Sequence, residues 1–172
     1  MDYTSPVIWN KIWSRPYSNY ESHHKFFWDE IKKKVIGSIL DLGCGSSSCW
    51  KGTNFDITGV DISAIAIIES KKNCPQGKFY EGNIENIPLK DKFDTIVLCG
   101  VVNYYEDLSK IKSEIIRLSK PSTRIFITIN VIDDFPSRHW DGVRIAREFE
   151  KLGTFMRVEF FNKIGWLIQI DR

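Results

Sequence analysis

A doubly wound α/β fold is predicted for this chain: a seven-stranded, mostly parallel sheet covered by helices on both faces, with an antiparallel hairpin at the C-terminal end. Three observations predict it. Short apolar runs alternate with amphipathic helical stretches, as parallel strands joined by crossover helices do. Two late runs, Thr154 to Phe161 and Trp166 to Asp171, are separated only by Asn162-Lys163-Ile164-Gly165. The first apolar run ends in a glycine-containing turn, and the second ends in an acid twenty residues further on.

The elements follow in order. Residues Met1 to Asn19 carry Trp9, Trp13, Pro16 and Tyr17 without a clean period, although the three aromatic residues Trp9, Trp13 and Tyr17 stand four apart. Phe27, Ile31 and Val35 then recur at four-residue steps behind Ser18-Asn19, which predicts a helix from Tyr20 to Val35, stopped at Gly37. Ser38 to Leu42 and Ile57 to Asp61 read as buried strands. Ser63 caps a helix to Asn73 with Ile67 and Ile68 inward, Pro75-Gln76-Gly77 ends it, and Lys78 to Glu81 is the third strand. Phe93 to Cys99 is the fourth. A helix from Leu108 to Ser119 places Ile111, Ile115, Ile116 and Leu118 inward and is closed by Pro121. Arg124 to Asn130 is a β-branched fifth strand, and Val143 to Leu152 a helix with Ile145, Phe149 and Leu152 on one side.

Composition bounds the function. The 172 residues, 42% of them apolar and 27% charged, suit one folded domain spanning 1-172, with 1-37 as an N-terminal helical lid. Lys plus Arg (24) nearly balance Asp plus Glu (22), which argues against a protein built around phosphate neutralisation. By the same token Lys32-Lys33-Lys34 reads as a solvated helix face. No window approaches the roughly 20 apolar residues of a membrane span, and Met1 to Asn10 lacks the basic-then-apolar pattern of a signal peptide. A cytoplasmic protein with no membrane partner is therefore expected. Cys44, Cys49, Cys74 and Cys99 form no Cys-x-x-Cys pair, and only three histidines are present, so free thiols and no metal are expected.

In an open parallel sheet the ligand lies beyond the carboxyl ends of the strands, where the connections change sides. The first loop there reads Asp41-Leu42-Gly43-Cys44-Gly45-Ser46-Ser47-Ser48. Its two glycines let the backbone turn tightly, and the amides after them can bind an anion such as a carboxylate. Asp61, at the end of the second strand, is placed to accept hydrogen bonds from two neighbouring ribose hydroxyls, unless it is simply a helix-initiating acid. Dinucleotide sites share that spacing, but an acid two residues before the first glycine would repel pyrophosphate and suits an ammonium group. The ligand expected is a nucleoside joined to an amino acid.

Between about Ser38 and Asn130 the chain resembles the class I S-adenosylmethionine-dependent methyltransferases, in particular their small, broad-substrate branch. The resemblance rests on Asp41-Leu42-Gly43-Cys44-Gly45, Gly59-Val60-Asp61-Ile62-Ser63, Glu81-Gly82-Asn83-Ile84-Glu85-Asn86-Ile87-Pro88-Leu89, Phe93-Asp94-Thr95-Ile96-Val97 and Leu118-Ser119-Lys120-Pro121. It implies a Rossmann-like sheet, S-adenosylmethionine as cofactor and S-adenosylhomocysteine as product. It further implies that Asp41 and the backbone of Gly43, Cys44 and Gly45 hold the methionine amino and carboxylate groups, and that Asp61 takes the ribose. Ile62 and Ile84 would sandwich the adenine, Asn83 would accept from its amino group, and the carbonyls of Cys99 and Gly100 would face the methionine end. Trp9, Trp13 and Tyr17 would form a lid turn over the sulfonium, as amino-terminal Trp and Tyr positions contact the cofactor in some relatives, unless these rings instead staple the first helix to the sheet. Three features depart from the family pattern: Asn83 stands where Asp is usual, Ser47 replaces a third glycine, and Ser122-Thr123 replaces Gly-Gly. Only 14 residues separate Leu42 from Ile57, so the crossover helix there must be short and its loop less rigid than usual.

Methyl transfer needs proximity and a dry pocket, with a base only where the acceptor must lose a proton. Candidate acceptor-side residues are Val101, Asn103, Tyr104 and Tyr105 after the fourth strand, and Asp133, Asp134, Arg138, His139 and Trp140 after the fifth. Of these His139 is the candidate base, and Tyr104 or Tyr105 would orient the acceptor. Little chain remains for a recognition domain, so a small-molecule acceptor is expected, with a protein or nucleic acid left open. The rival readings are a catalytically decayed cofactor-binding or partner-binding module and a nicotinamide oxidoreductase.

Overall fold

The computed structural model describes residues 4–15, 20–130, 140–161 and 165–172. Helix α1 (Pro6–Trp13) and helix α2 (Tyr20–Lys32) precede strand β1 (Ser38–Leu42). Then come β2 (Asp56–Asp61), α3 (Ala64–Asn73), β3 (Lys78–Glu81), β4 (Phe93–Cys99), α4 (Ser109–Leu118), β5 (Ser119–Asn130), α5 (Gly142–Phe149), β6 (Phe155–Phe161) and β7 (Gly165–Asp171). The seven strands lie in the order β3-β2-β1-β4-β5-β7-β6. Strands β1 to β5 pair in parallel, and β7 runs antiparallel to both β5 and β6. The strand order reverses between β1 and β4, so a crevice opens beyond their carboxyl ends.

Alternation of side chains along the strands sorts the core into two layers. Leu40 and Leu42 of β1, Ile96 and Leu98 of β4, and Ile125 and Ile127 of β5 pack under α4 and α5 with Ile111, Ile115, Ile145 and Phe149. Ile39, Val97 and Phe126 face the other way, against Phe27 and Ile31 of α2, Ile67 of α3 and Trp50. Asp41, Cys99, Thr128 and Asn130 share the parity of this second layer and lie at its carboxyl end. Their polar atoms therefore meet α2 and the first loop rather than α4.

At the opposite end of the sheet Asp94 ties β1 to β4 and β5. Its carboxylate accepts from the Ser38 N–H (2.9 Å) and hydroxyl (2.8 Å) and pairs with Lys120 (2.7 Å). The hydrogen bond from Lys120, followed by those from Ser38, holds its carboxyl down at about 2. Thr123, in the expected Gly-Gly position, donates to the Phe93 carbonyl and accepts from the Lys120 N–H, which staples the irregularity in the β4–β5 register.

Several expectations are corrected. Pro121 does not follow the helix as a separate stop: α4 ends at Leu118, and β5 begins at Ser119 with Pro121 inside it. Ile68 and Ile116 point outward, 53% and 45% exposed. Helix α4 buries Ile111, Ile115 and Leu118, and Ile116 lies a further 100° round the helix, off that stripe. Helix α3 buries Ala66, Ile67 and Ser70 because it sits close against the first loop, which leaves no room for Ile68 on that side. The crossover after β1 is shorter than a regular helix, a single 3-10 turn at Ser48–Trp50.

The contrast between two adjacent isoleucines is measurable. Ile115→Ala should lower the free energy of unfolding by about 2–5 kcal/mol, whereas Ile116→Ala should cost less than about 1 kcal/mol. Urea titrations of the two variants, giving equal losses, would contradict the assignment of faces.

Candidate functional site

The loop after β1 is shaped by its anchors. The N–H groups of Gly43 and Cys44 both donate to the Val60 carbonyl of β2, at 2.8 and 3.1 Å. Ser70 of α3 donates to the Gly45 carbonyl (2.7 Å), Asn73 donates to that of Ser46 (3.0 Å), and the Cys74 thiol donates to that of Ser47 (3.3 Å). Gly45 has φ +54°, and a Cβ there would stand 2.6 Å from the Trp13 ring, so glycine lets α1 close onto the loop. Ser47, in place of the third glycine, keeps the left-handed conformation at φ +52°, the only non-glycine among the described residues with positive φ. Side chains of α3 and of Cys74 just beyond it reach this loop at Gly45, Ser46 and Ser47 in turn. The Ser47 hydroxyl itself is taken up by Ser70.

Asp61 sits at the carboxyl end of β2, 7% exposed. One carboxyl oxygen accepts from the Gly45 N–H at 2.9 Å and the other from the Ser63 N–H at 2.8 Å. Burial pushes its carboxyl up, and those backbone donors oppose the shift. Ser63 then caps α3 by accepting from the Ala66 N–H, and donates to Asn10 of α1 at 2.7 Å. Helix α1 is thereby pinned over the crevice, with Trp9 edge-on to Tyr104 at 4.9 Å between ring centres on the far side.

These elements enclose a cavity of about 530 Å³. Of the residues singled out from the sequence, it brings together Trp9, Trp13, Gly43, Cys44, Gly45, Asp61, Ile62, Ile84, Cys99, Gly100, Val101, Tyr104 and Tyr105 in its wall. Asp41 and Asn83 are not in the wall. Asn83 accepts from the Glu85 N–H at 2.9 Å and so closes its own turn, leaving Ile84 to face the cavity. Trp140 is likewise committed elsewhere: it is buried and donates to the Tyr105 carbonyl at 2.6 Å, with Arg144 over its ring. His139, Asp133, Asp134, Arg138 and Tyr17 lie outside the described residues.

Asp41 is 1% exposed behind the loop. Trp50, from the 3-10 turn, donates its indole N–H to one carboxyl oxygen at 2.7 Å, and the other oxygen has no hydrogen-bond partner. Burial raises the carboxyl to about 7, and the nearby charge of Asp61 adds to the shift, against the Trp50 hydrogen bond. Sequence reasoning missed Trp50, and it also missed His24, Trp28 and Lys32 of α2, which line the cavity. A signal existed: these three repeat at four-residue steps beside the core stripe Phe27 and Ile31, so a second, polar and aromatic face was legible.

Among the described residues no group of three or more His, Cys, Asp or Glu side chains could hold a metal. Nor is any described helix long and apolar enough to cross a membrane. The cavity, the bent loop and the acid ending β2 coincide with a match of residues 40–127, about half the chain, to the family described as methyltransferase domain. The chain belongs to that family. Together with the sheet, this makes it a class I, S-adenosylmethionine-dependent methyltransferase. The malonyl-[acyl-carrier protein] O-methyltransferase of Pectobacterium atrosepticum is 29% identical over 87 residues, 48% of this chain and 34% of that protein. That of Enterobacter lignolyticus is 26% identical over 110 residues, 62% of this chain and 44% of the relative. The chain thus matches less than half the length of these curated relatives. Over nearly its whole length it shares its fold with solved structures. A SAM-dependent methyltransferase from Aquifex aeolicus has TM-score 0.75 and 15% identity, over 97% of this chain and 98% of that one. The magnesium protoporphyrin IX methyltransferase of Synechocystis has TM-score 0.70 and 16% identity, over 99% and 92%.

The Asp41 carboxyl of this methyltransferase-family chain makes a pH signature. A carboxyl raised from 3.8 unfolded to about 7 folded holds its proton more tightly in the native state, so stability is highest at low pH and declines as pH climbs through that window. Between pH 4 and pH 8 the cofactor-free protein should lose up to about 4 kcal/mol relative to an Asp41→Asn variant. Parallel urea midpoints for the two proteins across that range would show the carboxyl to be ordinary.

Proposed function

We propose that this chain transfers the methyl group of S-adenosylmethionine to a small-molecule acceptor. The observation that carries the reading is Asp61, whose carboxylate is held by two backbone N–H groups at the edge of one cavity that also contains the glycine loop and two aliphatic side chains. The residues fit the cofactor by their chemistry. A carboxylate with lone pairs to spare suits vicinal ribose hydroxyls, and Ile62 with Ile84 offers an apolar slot for a flat base. The N–H groups of Gly43, Cys44 and Gly45 are spent on Val60 and Asp61, so the loop shapes the methionine end of the cavity without free amides there, and Asp41 lies behind it with one unpartnered carboxyl oxygen.

The cofactor, when bound, provides an electrophilic methyl on a positively charged sulfur. The protein's part is positioning and exclusion of water. Helix α1, tied by Asn10 to Ser63 and by Trp9 to Tyr104, roofs the cavity, which supports a lid role for α1, whereas α2 belongs to the core through Phe27 and Ile31. Trp9 and Trp13 present aromatic faces that attract a cation and repel water. Tyr104 and Tyr105 line the acceptor side, and burial pushes the Tyr105 phenol up, so it stays neutral there. A cavity of this volume with such walls suits a small acceptor or a small group carried on a larger molecule. The curated relatives are named for methylating oxygen on malonyl-[acyl-carrier protein], which is a precedent for the latter.

A second reading, a cofactor-binding module that no longer turns over, is favoured by Asn83, whose oxygen is spent on its own turn. Transfer of label from methyl-tritiated S-adenosylmethionine to any acceptor would rule that reading out.

Calorimetry with S-adenosylhomocysteine tests the proposal. Binding to the wild-type protein is expected, and Asp61→Ala should weaken it by at least about 1.5–3 kcal/mol, the scale of hydrogen bonds to a charged group, because it removes both the ribose acceptor and the tie between Gly45 and Ser63. A dissociation constant that does not move would remove Asp61 from the site, and absence of any wild-type binding would end the proposal.

A further inference from the structure

We propose that strand β6 is a self-pairing edge, where two copies of this chain join by antiparallel strand pairing about a two-fold axis at Val158. The inference concerns a surface outside the cavity and does not rest on the methyltransferase reading.

Strand β6 ends the sheet on the side away from β3, and among the described residues it pairs with β7 alone. A strand in that position carries a row of N–H and C=O groups turned away from the sheet, which another strand can take up. Proteins blunt such edges with proline, a bulge, charges or a covering segment. Strand β6 reads Phe155-Met156-Arg157-Val158-Glu159-Phe160-Phe161, contains no proline, and keeps an unbroken register with β7 from Phe155 opposite Asp171 to Phe161 opposite Gly165. Its apolar side chains are open to solvent: Phe155 is 53% exposed, Phe160 51% and Val158 38%. The two charges do not repel a second strand as a like pair would. Arg157 is ion-paired with Glu159, and Lys34 lies 3.6 Å from the same carboxylate.

The aromatic residues at the end of the strand are held in place on both faces. Phe161 meets Phe26 of α2 at 4.7 Å between ring centres, and on the opposite face Phe160 tilts against Trp166 at 4.6 Å. An edge whose rings are already fixed loses little side-chain freedom when it is covered.

The order of side chains points to a second copy as the occupant. A two-fold axis normal to the sheet returns each face to the same face, so one residue of the strand must oppose its own copy. With Val158 on the axis all seven residues are paired. Arg157 then faces Glu159 of the other copy, Met156 faces Phe160, and Phe155 faces Phe161, each pair occurring twice. An axis at Arg157 or at Glu159 would set like charges against each other, and one at Met156 or Phe160 would set a charge against an aromatic ring. The strand is therefore a palindrome in which apolar matches apolar and positive matches negative. Antiparallel self-pairing requires that pattern, and pairing with an unrelated strand does not. No described residue of β6 lines the cavity, so the pairing leaves the crevice open.

The test is the mass of the whole chain in solution, read by light scattering over a dilution series. A dimer that dissociates on dilution is expected, and a monomer at every concentration would overturn the proposal. Val158→Glu sets like charges on the axis and should give a monomer with an unchanged circular dichroism spectrum. Arg157→Glu alters a side chain that is already 59% exposed, and should raise the dissociation constant about tenfold or more, because both opposite-charge pairs become like-charge pairs. A dimer indifferent to Arg157→Glu would overturn the assignment of this surface. The register is read by cross-linking. Under mild oxidation Val158→Cys should form a covalent dimer faster than the wild-type chain with its native free cysteines. Phe155→Cys should not, since its own copy lies six residues along the strand, about 20 Å away. Cross-linking at 155 and not at 158 would overturn the two-fold at Val158.

Discussion

The carboxylate of Asp61 joins two loops that no secondary-structure element connects directly. It accepts from Gly45 on one side and from Ser63 on the other, and so locks the turn after β1 against the start of α3 at the point where the strand order reverses. A buried carboxylate loses hydration, and two backbone donors are what make its burial tolerable. Everything around the crevice is referred to this tie. Ser63 caps α3 and holds Asn10 of α1, while Ser70 and Asn73 of α3 hold the loop in turn. The roof, the loop and the crossover helix consequently share one reference point, and a group bound to Asp61 would sense the position of all three.

The short crossover after β1 has a less obvious consequence. With only a 3-10 turn between Ser48 and Trp50, the indole of Trp50 drops onto the second core layer, stacks edge-on with Trp28 and Phe55, and caps Asp41. An acid placed by the pleat of β1 on that layer cannot reach the cavity past the loop. Its unmet oxygen and its raised affinity for a proton express the same desolvation.

Much of the fold was legible because strand and helix signals are local. The runs Ser38 to Leu42, Lys78 to Glu81 and Phe93 to Cys99 coincide with β1, β3 and β4, since the first and last are apolar segments and the short middle one follows the turn Pro75-Gln76-Gly77. Ser63 was recognisable as a cap from its place after Asp61. Helix faces were less legible. Ile68 and Ile116 are apolar by type, yet neighbouring elements cover only part of each helix, and which part depends on packing across the sheet. Trp140 shows the same limit: an aromatic residue near a site by chain position was claimed by a carbonyl of the preceding loop.

The spacing of Asp41, Gly43, Gly45 and Asp61 determined where the crevice lies and what class of ligand suits it, because in a parallel sheet the ends of successive strands converge wherever the order reverses. Only the tertiary structure decided which of those residues face the crevice. It turned Asp41 and Asn83 toward protein partners, put Ser47 in a glycine-like conformation, and brought His24 from α2 beside Asn130, more than a hundred residues away. The physical reason is that side-chain direction on a helix, and hydrogen bonding between distant segments, are set by how whole elements pack, and local residue patterns carry no record of that.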